Sequence, residues 1–136
     1  MGILEQLERD YELEEIERFL YFFRSLCDIL EPLIVKLSSN SEKYKEALRD
    51  LEQNIHNVVW AAKRLNLEEL VNFGTFCEEI TKQALKFEGP ASEEFTDWML
   101  LISDQFEKYC CSYENDDTVL AIFNPLIANV PDKISQ

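Results

Sequence analysis

Between Gly2 and Gly74 this chain contains no glycine and a single proline, Pro32. So long a stretch without turn formers argues against a protein of strands and tight reversals, and favours long helices. The clearest helix runs from Tyr44 to Leu65. Its apolar residues Tyr44, Leu48, Leu51, Ile55, Val58, Ala62 and Leu65 recur in steps of four and three. That spacing makes a narrow seam of the bundle type, with one dry side and the others wet. A second stripe runs beside it through Lys45, Arg49, Glu52, His56, Val59, Lys63 and Asn66. His56, the only histidine, therefore stands at the edge of the seam, anchored by its neighbours and able to face solvent or a partner.

The rest of the chain divides around this helix. Ile3 to Leu37 carries helical apolar spacing from Leu4 through Leu30, and Pro32 predicts a kink or break, since an interior proline costs ~3 kcal/mol. Ser39 followed by Glu42 fits a capping box for the central helix, and Asn66 with Glu69 repeats that logic for the next. The short connection at Asn66 predicts an antiparallel hairpin. The following helix has its seam at Leu70, Phe73, Cys77, Ile80, Ala84 and Phe87, with Gly74 in its middle as a place for close approach. Gly89-Pro90 ends it and Ser92 is a cap for the next helix, which reaches about Tyr113 and buries Phe95, Trp98, Met99, Ile102, Phe106, Tyr109 and Cys110. Val119 to Ala128 reads as a short last helix, and the tail from Pro131 to Gln136 as loose. The expected fold is all-α: an antiparallel up-down four-helix bundle with one or two additional terminal helices, in one domain over residues 1–130.

Composition narrows the function classes. The 27 acidic and 13 basic residues give a net charge of -14. Such a surface repels phosphate backbones and anionic headgroups, so nucleic acid and membrane are poor partners and a basic protein surface is a good one. No apolar run is long enough for a span and no signal peptide is visible, so the expected compartment is the cytoplasm. Cys27 and Cys77 lie on apolar stripes, and Cys110 and Cys111 are adjacent with divergent side chains. Without a CxxC pair and with one histidine, these read as inert thiols and no metal site is expected.

The run His56-Asn57-Val58-Val59-Trp60-Ala61-Ala62-Lys63-Arg64-Leu65-Asn66-Leu67 resembles the active helix of histidine-containing phosphotransfer domains, most closely the one at the head of chemotaxis histidine kinases. In that family the histidine is followed by a hydrophobe, a lysine and a glycine, then by a small residue, a hydrophobe and a turn residue that opens the next helix. Here Val58, Ala62, Leu65 and Asn66 hold the matching places, while Val59 replaces the lysine and Trp60 the glycine. Glu78 matches the carboxylate that steadies the ring from the neighbouring helix.

The resemblance implies His56 as phosphoacceptor, Glu78 as the residue orienting it, and Lys63 as a replacement for the missing charge. Val59 and Trp60 share one helix face with His56 and Lys63, and with Glu52 they offer a docking face for a response-regulator receiver domain, and in some settings a histidine kinase. The other reading of that pair is a slightly rotated helix in which Trp60 packs against the helix that follows or the first segment. A protein of this kind is a phosphoryl carrier in a phosphorelay rather than an autonomous enzyme, and it needs no cofactor of its own. The alternative is a bundle that keeps the fold and docks signalling proteins through Val59 and Trp60 without being phosphorylated. A further spacing, Glu69 with Asn72 one turn on, occurs in some phosphatases of response regulators and equally on any polar helix face.

Overall fold

The computed structural model describes residues 1–136, and the chain is all-helical. Five α-helices follow one another: α1 (Ile3–Asp10), α2 (Leu13–Leu37), α3 (Ser41–Arg64), α4 (Glu68–Ala84) and α5 (Glu93–Glu114), with a 3-10 turn at Pro125–Ala128. A single cluster of 33 buried apolar residues draws on all five and on the 3-10 turn, so there is one core. Every residue of the Tyr44–Leu65 seam is buried in it. No helix is long and apolar enough to cross a membrane.

Contacts between named residues fix the direction of each helix. Trp60 and Arg64 near the end of α3 meet Arg18 and Glu15 near the start of α2. Tyr44, at the other end of α3, donates its hydroxyl to the carbonyl of Ala84 at the end of α4, 2.6 Å away. Tyr113 of α5 stacks edge-on against Phe19 of α2, while Ala91, just before α5, donates to Leu37 at the far end of α2. Between α4 and α5, Phe73 meets Phe106 and Tyr109, and Phe76 meets Trp98. Sequential helices are thus antiparallel around a core closed by aromatic rings, which bury large area in defined edge-to-face pairs.

The boundaries differ from the sequence expectation in instructive ways. The first segment breaks at Tyr11 and Glu12, both extended, and not at Pro32, which sits inside α2. Pro32 is exposed, so the carbonyl it leaves unpaired one turn back can be met by water, while Leu33, Ile34 and Leu37 beyond it are locked in the core. Helix α1 is instead tied to the far end of α5. The Asp116 carboxylate accepts from the amides of Leu4 and Glu5, and Ile3 donates to the carbonyl of Asp117. An N-terminal cap supplied by a residue so distant in sequence leaves no local signal.

The capping boxes are also corrected. Asn40, rather than Ser39, caps α3, accepting from the amide of Lys43 at 2.8 Å. Asn66 ends α3 instead of starting α4. Its φ of 55° is left-handed, Leu67 donates back to Ala62 and Asn66 donates to Lys63, which is the Schellman pattern. Ser92 does cap α5, accepting from the amide of Phe95. Phe87 lies beyond the end of α4 and is exposed.

The C-terminal expectations fail for one reason. Residues 119–124 are irregular rather than helical, and the tail is docked rather than loose. Polar side chains on the buried side of α5 supply the missing backbone partners. Ser112 accepts from Ala121, Gln105 accepts from Asn124 and donates to Ile122, and Trp98 donates to Ile127. Ser92 donates to Lys133, its amide donates to Ile134, and Ala91 bridges Ser135. Where a buried side chain pairs a backbone group, helix is no longer the only way to satisfy it.

Candidate functional site

Helices α3 and α4 bring His56 and Glu78 together. Nδ1 of His56 lies 3.3 Å from Oε2 of Glu78. With the hydrogen on Nδ1 the ring donates to the carboxylate, which leaves the lone pair on Nε2 free. The imidazole side chain is 59% exposed and the Glu78 side chain only 12%. The acid is therefore the fixed partner and the ring the accessible one. A rigid contact below holds Glu78 at this height: Gly74, one turn before it on α4, lies directly under Val59 of α3, where a Cβ would overlap Val59 Cγ2. The close approach of the two helices is set by that pair.

His56 and Glu78 line a polar hollow of about 380 Å³ with Arg49, Glu52, Gln53 and Lys82, and no apolar side chain faces it. Two cations, one from each helix, thus line the same hollow as the imidazole. Sequence reasoning placed Arg49 on the same stripe as His56 but did not single it out, and Lys82 was missed. Their signal was present, since Arg49 lies two turns before His56 and Lys82 one turn after Glu78.

The remaining candidates fall elsewhere. Lys63 opens onto a separate hollow with Asn66, Glu68 and Val71, so it does not join the His56 group. Val59 is 3% exposed and belongs to the core, which removes it as a docking residue. Trp60 is 42% exposed. Its ring is gripped by the guanidinium groups of Arg18, 5.8 Å from the ring centroid, and Arg64, 5.3 Å from it. Arg64 also donates to Glu15 of α2. Trp60 thus leans towards α2 while His56 leans towards α4, and cation–π contact explains how a large ring rests at the surface. Glu52 is half-buried on the rim of the His56 hollow.

A hollow of about 750 Å³ opens between α2 and α5. Its main charge is already used. Arg24 donates to both Glu107 and Glu114, and this pairing holds the Glu114 carboxyl below its ordinary range. All four cysteines are free, and burial pushes the Cys77 thiol well up, away from reactive thiolate. No group of three or more His, Cys, Asp or Glu side chains is gathered to hold a metal ion.

Comparison of the chain with protein-family models, with curated proteins and with solved structures gives no match.

Proposed function

We propose that this chain is a histidine phosphotransfer protein that carries a phosphoryl group on Nε2 of His56 and exchanges it with the receiver domain of a response regulator. The observation that carries this reading is the His56–Glu78 pair: an exposed imidazole whose inner nitrogen is held by a shielded carboxylate from the next helix. Nε2 attacks the phosphorus of a receiver aspartyl phosphate. The N–P bond forms, the bond from phosphorus to the aspartate oxygen breaks, and the carboxylate leaves with the electron pair. Nδ1 keeps its proton throughout, and Glu78 stabilises the positive charge that develops on the ring. Arg49 and Lys82 face the phosphoryl oxygens from either side, in place of the lysine that the family carries where this chain has Val59.

The test is transfer of label from a phosphorylated receiver domain, or from a histidine kinase, to the full chain. An acid-labile label that His56→Gln abolishes is expected. Glu78→Gln keeps a neutral partner for the ring and slows transfer by roughly 10-fold or more, the scale of an oriented acid–base contact. Arg49→Gln with Lys82→Gln weakens transfer while sparing the fold, because both side chains are exposed. Absence of label under conditions that label an active phosphotransfer domain would refute the reading. One observation favours an interaction module without phosphorylation: Trp60 stands where the family's glycine leaves room for a receiver, and it is partly exposed. Receiver binding that survives His56→Gln and is lost in Trp60→Ala, with no label at all, is the outcome that belongs to that second reading.

A further inference from the structure

On the side of α4 away from His56, the segment 119–128 lies along α4 and α5, packs Phe123 and Ile127 inward and turns three other apolar side chains outward. Ile122 is 90% exposed, Val119 73% and Leu126 58%. These are not residues of a slack tail. Four hydrogen bonds from Ser112, Gln105 and Trp98 of α5 hold the backbone beneath them, and Ile127 is fully buried. Three of the side chains on α5's buried side are thus engaged in fixing a conformation that presents apolar groups to solvent. Apolar side chains left exposed on a backbone that is itself held in place mark a contact surface.

Two hollows flank the segment. One, about 390 Å³, is floored by Phe73, Phe76 and Phe123, and Phe123 stacks edge-on against Phe73. The other, about 530 Å³, is lined by Val119, Leu120 and Ile3. Glu69 borders both and is the one charged side chain in either lining. Neither hollow is lined by a cation, and Lys108 of α5, between Gln105 and Ser112, is paired with Asp104. Glu68 to Thr81 on α4, Glu93 to Glu107 on α5 and Cys110 to Asp132 contain no lysine, arginine or histidine, while Asp116 and Asp117 stand at the edge of the segment.

We infer that this face is a docking surface for a protein segment that pairs apolar anchors with lysine or arginine, such as a basic amphipathic helix. Apolar side chains of the partner fill the two hollows and cover the exposed Val119, Ile122 and Leu126 of the segment beside them, and its cations meet Glu69 and the acidic rim. A second copy of this chain is the wrong occupant, because it would bring acid against acid at a net charge of -14 on each side. An anionic lipid surface is wrong for the same reason. The inference stands apart from the chemistry at His56: α4 turns Glu78 towards α3 and Glu69 towards this groove.

The experiment titrates the full chain with two synthetic amphipathic helices that share a leucine face, one bearing lysines on its polar side and the other glutamates. The lysine helix is expected to bind. Ile122→Ser combined with Leu126→Ser weakens it roughly 10-fold or more, as loss of apolar anchors does. Glu69→Gln weakens it less and flattens its salt dependence. Val35→Ser, at an equally exposed apolar residue on α2, leaves affinity unchanged. Because the substituted side chains are exposed, urea unfolding of each variant confirms that the fold survives. Equal affinity for the parent and the Ile122→Ser/Leu126→Ser variant overturns the proposal, as does equal binding of the glutamate helix. Self-association that Ile122→Ser abolishes, without binding of the lysine helix, assigns the face to a second copy instead.

Discussion

Substituting Gly74 tests the contact that sets the height of α4 against α3. In an exposed helix Gly→Ala stabilises by about 1 kcal/mol through backbone entropy. Here the new methyl would overlap Val59 Cγ2, a stiff branched side chain that is 3% exposed and has little freedom to turn away. Overpacking of a core typically costs about 1–3 kcal/mol. The net expectation for Gly74→Ala is a loss of roughly 1 kcal/mol, opposite in sign to the propensity rule. Val59→Ala alone removes two buried methyl groups and costs about 2 kcal/mol. In the double variant the methyl introduced on α4 enters the space that Val59 vacates, so the helix propensity gain is recovered. The pair should then be more stable than Val59→Ala by about 1 kcal/mol, a coupling of roughly 2 kcal/mol in the double-mutant cycle. Urea unfolding with unchanged slope is the assay. If Gly74→Ala is stabilising, or the two changes simply add, the argument for a Gly74–Val59 contact is wrong, and with it the explanation of how Glu78 is held beside His56.

Two further outcomes follow from the core and the tail. Burial pushes the Tyr44 hydroxyl up to about 12, whereas an unfolded chain releases that proton near pH 10. The folded state then holds a proton the unfolded state has lost, so stability is flat below about pH 10 and falls above it, by up to ~1.4 kcal/mol per pH unit. Tyr44→Phe should reduce that alkaline slope, leaving the part due to Tyr109 and Tyr113, which burial raises too. At neutral pH it loses the bond to Ala84, and urea unfolding between pH 8 and 11 separates the two effects. Ser92→Ala removes the cap of α5 and the hydroxyl that donates to Lys133, and should cost about 1–3 kcal/mol. Faster hydrogen exchange at Gln136, whose amide bonds to Pro90 beside it, is the accompanying sign that the tail has come away.

Much of the scaffold was legible in the sequence because a helix repeats its own geometry. The spacing of Tyr44, Leu48, Leu51, Ile55, Val58, Ala62 and Leu65 placed one seam inside, and all seven residues are buried. Gly74 in mid-helix pointed to close approach, and Val59 occupies that place. The stripe beside the seam was less decisive. His56, Val59 and Lys63 share it in sequence, yet one faces a polar hollow, one the core and one a different hollow. A rotation of α3 by a few tens of degrees separates these outcomes, and periodicity alone does not measure it.

What the sequence determined by itself was local: which residues can be helical, which side of each helix is dry, and that one imidazole stands at an edge. What tertiary structure alone decided was every pairing between distant residues. Arg49 and Lys82 meet around His56 because two helices settle at one register, and that register depends on the fit of Val59 over Gly74. Asp116 caps α1, and Gln105, Ser112 and Trp98 turn an apolar segment outward, because buried polar atoms must find partners wherever the packed chain offers them. Such partners are chosen by proximity in space, a quantity that spacing along one helix does not contain.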